Sequence, residues 1–124
     1  MARIVVVGAD LILHSRIDAQ LAALGHDVTR ARAPEIAPPA DVAICDVEAV
    51  DPHAAVAALR PARLLGYGSH VLPEALRAAR GAGFDRVVAR SAIAERSGAL
   101  VDELLAVPSS TVPPEPAPPV EPRG

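Results

Sequence analysis

Two aspartates stand where chemistry is available. Asp10 follows the apolar run Arg3–Val7 by way of Gly8-Ala9, and Asp46 ends the run Asp-Val-Ala-Ile-Cys-Asp that begins at Asp41. An exposed aspartate is a nucleophile toward a phosphoryl group when a cation offsets the phosphate charge. Two carboxylates are also the usual protein share of a Mg²⁺ octahedron completed by water and phosphate. Arg90 brings a planar fork of donors that clamps an anion, while Ser69 and Ser91 add hydroxyls. Each residue has a structural use as well. Asp10 has the residue type of a helix N-cap, Asp46 can bond the loop that follows it, and Arg90 can pair with either aspartate.

Other candidates carry less. Asp10, Asp46 and His70 form a chemically allowed metal set without any spacing signature. Gly66-Tyr-Gly68 has the form of a dinucleotide turn, but it follows a fourth strand and lacks the third glycine. Cys45, inside a strand, reads as a small buried hydrophobe, and as the single cysteine it excludes a disulfide framework and a Cys-rich zinc site. His14, His26 and His53 read as surface residues. No Ser-His-Asp arrangement has supporting motifs, so no enzyme activity is expected.

The elements that must position these residues alternate. Arg-Ile-Val-Val-Val over 3–7 is apolar at consecutive positions, as in a strand covered on both faces. Leu13, Ile17, Leu21 and Leu24 then recur at helical spacing, with Gly25 in the C′ place. Asp27–Arg32 reads as a short edge strand. Pro34, Pro38 and Pro39 exclude a regular helix from Ala33–Ala40. Eight extended residues reach about 26 Å, enough to cross to the next strand, about 20 Å away. Asp41–Val47 is that strand. Asp51-Pro52 supplies an N-cap and N1 proline for a helix to about Arg60. Arg63–Tyr67 is the fourth strand, Pro73–Arg80 a helix stopped by Gly81-Ala-Gly83, and Arg86–Arg90 the fifth strand. Ser97–Ala106 is the last helix, with Ser97 as its cap. Pro108–Gly124 holds seven of the 13 prolines and reads as a disordered tail. The expected organisation is an α/β domain over 1–106 and a Pro-rich tail over 107–124.

Five strands alternating with helices imply a doubly wound parallel sheet, flavodoxin-like in order 2-1-3-4-5, with a shortened or missing second helix. Chemistry in such sheets lies outside the carboxyl ends of the strands. One crevice therefore collects Asp10, Asp46, Ser69 with His70, and Arg90 with Ser91.

Composition sets the outer limits. In 124 residues there is room for one domain and a tail. Apolar residues make up 51%, alanine supplies 26 positions, and aromatic residues are only 2%, so helices pack closely through small side chains. One Tyr, one Phe and no Trp argue against base stacking. Every base is Arg, the net charge is −3, and no basic stripe is present, so no nucleic-acid partner is expected. The run from Ile4 to Leu13, broken by Gly8 and Asp10, is too short to span a bilayer, so the cytoplasm is the expected compartment with no membrane partner.

The layout over 1–106 resembles the receiver domain of two-component signalling. Asp-Val-Ala-Ile-Cys-Asp46 resembles the third receiver strand, whose terminal Asp is the phosphoacceptor. Arg-Ala-Ala-Arg-Gly-Ala-Gly-Phe-Asp-Arg-Val-Val-Ala-Arg resembles the helix, turn and fifth strand of receivers. The resemblance implies Asp46 as phosphoacceptor, Ser69, Arg90 and Ser91 as switch or anion-binding residues, and Mg²⁺ held by Asp10 and Asp46. Receivers carry an acidic pair after the first strand, where this chain has Gly8 and Ala9. The Thr or Ser ending their fourth strand falls on Gly68, with Ser69 beside it, and their Lys-Pro falls on Arg90-Ser91. The chain is thus similar to a degenerate, pseudo-receiver member. It implies a stand-alone module, monomer or homodimer, acting on a histidine kinase or downstream effector. A flavodoxin-like domain binding a small ligand or nucleotide, through the Gly8–Asp10 and Gly66–His70 loops, is the alternative.

Overall fold

The computed structural model describes residues 2–8, 10–69 and 73–106. Five parallel strands, β1 (Arg3–Val7), β2 (Asp27–Ala31), β3 (Val42–Asp46), β4 (Arg63–Gly68) and β5 (Arg86–Ala89), lie in the order β2-β1-β3-β4-β5. The register runs Ile4 beside Val42 and Ile44 beside Leu65, so β3 sits at the centre and aims Asp46 out of its carboxyl end. This is the flavodoxin-like order that the alternation of elements implies.

Period-two alternation splits the strands between two apolar layers. Ile4, Val6, Val42, Ile44, Leu65 and Tyr67 face α1 (Leu11–Ala23) and α4 (Arg90–Ala106) through Leu13, Ile17, Leu21, Ile93, Leu100 and Val101. Val5, Val7, Ala43, Cys45 and Leu64 face α2 (Pro52–Leu59) and α3 (Pro73–Ala82) through Ala55, Leu59 and Ala79. The missing second helix is replaced by a single 3₁₀ turn, Pro34–Ile36, with Pro34 buried and Ala37 and Ala40 packed on the same layer. Local signals were kept. Asp10 and Asp51 accept from Leu13 and Ala54 N–H at 2.8 and 2.9 Å as N-caps, and Gly25 takes φ +86° after α1.

Several expectations are corrected. Arg90 leaves β5 and opens a short helical segment that meets the expected helix from Ser97 across a break at Arg96, so α4 as a whole runs from Arg90 to Ala106. Ser97 lies fully buried just past that break, and its hydroxyl has no hydrogen-bond partner among the described residues, so it caps nothing. α3 passes Gly81 and ends at Ala82, with Gly83 taking φ +117° as the terminator. His26 is not a surface residue: its side chain is 9% exposed, its Nδ1 accepts from Ala2 N–H at 3.0 Å, and Nε2 faces Asp102. His14 is half-buried with Nδ1 enclosed, whereas His53 is exposed as expected. Leu24 ends α1 half exposed rather than in the core. Cys45 is fully buried, and burial followed by the charge of Asp46 pushes its thiol up to about 12, which leaves it inert. The tail over 107–124 lies outside the described residues. Among the described residues no helix is long and apolar enough to cross a membrane.

Candidate functional site

Asp10, Asp46 and Arg90 meet above the carboxyl edge of the sheet. β1 turns through Gly8, whose φ of +84° suits only glycine, and delivers Asp10 to the start of α1. There one carboxylate oxygen caps Leu13 N–H and the other accepts from Arg90 Nη2. Asp46 extends from β3 with Oδ1 accepting from Glu48 and Ala49 N–H at 2.9 and 3.3 Å, an Asx turn that shapes the loop. Its Oδ2 faces Arg90 Nη1 at 4.0 Å. Arg90, the first residue of α4, thus bridges two aspartates supplied by different strands. Both structural readings of the aspartates and the ion-pair reading of Arg90 are present together.

Electrostatics follow from these contacts. The Asp10 carboxyl is held below the usual carboxylate range, first by the Leu13 N–H and then by Arg90. The Arg90 guanidinium is held more firmly charged, chiefly by its bond to Asp10. Beneath them Tyr67 is fully buried, and burial followed by the Asp46 charge raises its hydroxyl above the ordinary range. Its Oη has no hydrogen-bond partner among the described residues.

A testable consequence concerns Asp10. A depressed carboxylate pKa stabilises the fold above the unfolded value, near 3.9, and that contribution is lost as the pH falls through the folded value. Arg90→Ala removes one of the two main causes and leaves the Leu13 N–H. Asp10 in that variant should titrate at higher pH than in the wild type, read from carboxyl ¹³C shifts between about pH 2 and 6. An unchanged midpoint would show that the Arg90 bond does not form in solution.

One residue of the crevice was not picked out from the sequence. Glu48 Oε2 accepts from Ser69 N–H at 2.7 Å and ties the loop after β3 to the end of β4. A Cβ on Gly68 would lie 3.2 Å from that oxygen, so the glycine makes room for the Glu48 side chain. The only available signal was position, two residues beyond a strand-ending aspartate. Ser69 joins this second tie through its N–H, and Ser91 is exposed on the first turn of α4. His70 lies outside the described residues.

Gly66 and Gly68 are not a phosphate-binding turn, because both lie within β4. A Cβ on Gly66 would stand 2.8 Å from Val47 Cγ1 and 2.9 Å from Phe84 Cδ2, so close packing explains the glycine. Asp10 and Asp46 do not suit Mg²⁺ as arranged. Three of their four oxygens already accept hydrogen bonds, and the fourth faces the Arg90 guanidinium, which is itself a cation. Among the described residues no three His, Cys, Asp or Glu side chains cluster as a metal site.

No protein-family model matches the chain, and no curated protein matches it. Solved structures do. NtrX from Brucella abortus, solved in complex with ADP, superposes with a TM-score of 0.71 at 14% identity over 85% of this chain. The match spans 27% of the NtrX chain. The DrrB receiver domain, activated with BeF₃, gives 0.69 at 18% identity, covering 86% of this chain and 99% of that one. The fold is that of a receiver domain. A response regulator from Burkholderia pseudomallei, holding a phosphorylated aspartic acid, a calcium ion and citrate, gives 0.64 at 15% identity, covering 87% and 76%. In this chain β2 is joined to β3 through the 3₁₀ turn Pro34–Ile36, and Arg90 bridges the two aspartates.

Proposed function

We propose that the chain is a receiver-like signal-transduction module that acts in the cytoplasm by binding a partner protein, a histidine kinase or a downstream effector. Its crevice is latched by Arg90. The observation that carries this reading is the guanidinium placed between Asp10 and Asp46. An arginine stays charged at any physiological pH, so such a latch needs neither a metal ion nor a phosphoryl group to neutralise the aspartates. The module then holds one surface ready for its partner, as monomer or homodimer, and performs no catalysis of its own.

A second reading keeps Asp46 as phosphoacceptor, with Ser69 and Ser91 answering the phosphoryl group and Mg²⁺ taken up by Asp10 and Asp46 once Arg90 has moved off them toward that group. It is favoured by the position of Asp46 at the end of the central strand of a receiver fold, with Oδ2 free of the loop. A two-dimensional NMR titration with Mg²⁺ and beryllofluoride, run on the wild type and on Asp46→Asn, separates the two. The latched module predicts no shifts at Asp46, Ser69 or Arg90. Shifts in the wild type that vanish in Asp46→Asn would overturn the latch and establish a working phosphoacceptor.

A further inference from the structure

α4 is broken in the middle, and the break is filled by a side chain from another helix. At Arg96 the backbone leaves helical geometry, with φ −132° and ψ 25°. The bond that an unbroken helix would make there, from Gly98 N–H to Ala94 C=O, is replaced by the carboxamide of Gln20 on α1. Gln20 Nε2 donates to Ala94 C=O at 2.8 Å, and Gly98 N–H donates to Gln20 Oε1 at 3.2 Å. The amide orientation follows from the network, since the flipped form would set donor against donor and acceptor against acceptor. Sharp kinks without proline arise at Gly/Ser pairs or where a side chain enters the backbone ladder. Ser97-Gly98 and Gln20 supply both causes. Gly98 also lets the helices approach, because a Cβ there would come within 3.0 Å of Leu24 Cδ1.

We propose that Gln20 is a positioning residue: by splicing α4 at this gap it makes Arg90–Glu95 a separate arm that sets Arg90 against Asp10 and Asp46. The arm is about one and a half turns long. Arg90 is its first residue, joined directly to Ala89 at the end of β5, and the fully buried Ile93 is its anchor in the core. The longer part of α4, beyond Ser97, is fixed by Leu100, Val101 and Leu104. Two arrangements are open to the element. With Gln20 inserted the helix is bent and the arm presents Arg90 to the aspartates. With Gln20 withdrawn, Gly98 N–H closes on Ala94 C=O, α4 straightens, and the arm leaves β5 in a different direction, which carries the Arg90 guanidinium off the aspartates. The splice stands apart from the latched-module reading, and only its consequence at the aspartates rests on that reading.

Gln20 is the single carboxamide side chain in the chain, so its NH₂ pair is the one such signal in an NMR spectrum. In the wild type, one of its two protons should exchange slowly and lie away from the position of a freely solvated amide. A solvated, fast-exchanging pair would overturn the splice without any mutation. Gln20→Met then keeps the length of the side chain and removes both bonds. Residual dipolar couplings from residues 91–95 and 99–105 should fit a single straight helix in the variant and two directions in the wild type. The Asp10 titration midpoint should move in the direction caused by Arg90→Ala. A bent α4 with the wild-type Asp10 midpoint in Gln20→Met would reduce Gln20 to packing. A straight α4 with an unchanged Asp10 midpoint would refute the positioning role.

Discussion

Ile44→Ala should destabilise the domain by about 2–5 kcal/mol, the range for deleting a large aliphatic side chain from a core. Ile44 is fully buried at the centre of β3, between Val6 of β1 and Leu65 of β4. It faces the layer of Leu13, Ile17, Ile93 and Leu100, so both helices that carry the latch rest on it. Five strands in fixed register prevent the site from collapsing onto the cavity, which favours the upper part of the range. Urea denaturation of the two proteins at pH 7 measures the difference, and a loss below about 1 kcal/mol would mean that this layer is not packed as described. Asp46→Asn, at the solvent end of the same strand, should change stability far less. The contrast separates the strand that positions the site from the residue that occupies it.

The sequence carried the sheet because its strands are short β-branched runs with small residues at their ends, and a parallel order follows from alternation with helices. It carried the loss of the second helix because three prolines forbid one. It carried the crevice but not the pairing inside it. Asp10 and Arg90 are 80 positions apart, just beyond the ends of β1 and β5, which are not neighbours, and only the reach of an arginine joins them. The start of α4 was hidden for a different reason. Ser97 has the residue type of a cap, and the apolar repeat after it is strong, while Arg90–Glu95 has a single large apolar anchor, Ile93. Ala92 and Ala94 are good helix formers, and tertiary contact through Gln20 supplies the join that no local pattern records. His26 was misread because nothing local signals that the N–H of Ala2 comes to its ring. Glu48 gave no signal of type at all, since its partner is a backbone N–H across the crevice.

Arg90→Ala should convert the crevice from metal-indifferent to metal-binding. With Arg90 in place, the formal charge of Asp10, Asp46 and Arg90 sums to −1, and the guanidinium touches one carboxylate and faces the other. Removing it leaves −2, with one oxygen of each aspartate released and the other two still bound to Leu13, Glu48 and Ala49 N–H. Two carboxylates with waters are the minimum that Mg²⁺ accepts. The variant should therefore bind Mg²⁺ with a Kd on the order of 1 mM, at the weak end for oxygen sites, and at least about tenfold more tightly than the wild type. Amide shifts at Gly8, Asp46 and Glu48 against Mg²⁺ concentration give the two affinities. Adding Asp46→Asn to Arg90→Ala should abolish the gain, because a carboxamide oxygen carries no charge to attract the ion. Equal Mg²⁺ response in wild type and Arg90→Ala would mean that the arginine does not compete for the aspartates, and Asp46 would then stand open to phosphoryl transfer. A response confined to the variant would show that the Arg90 guanidinium occupies the place a cation would otherwise take between the two aspartates.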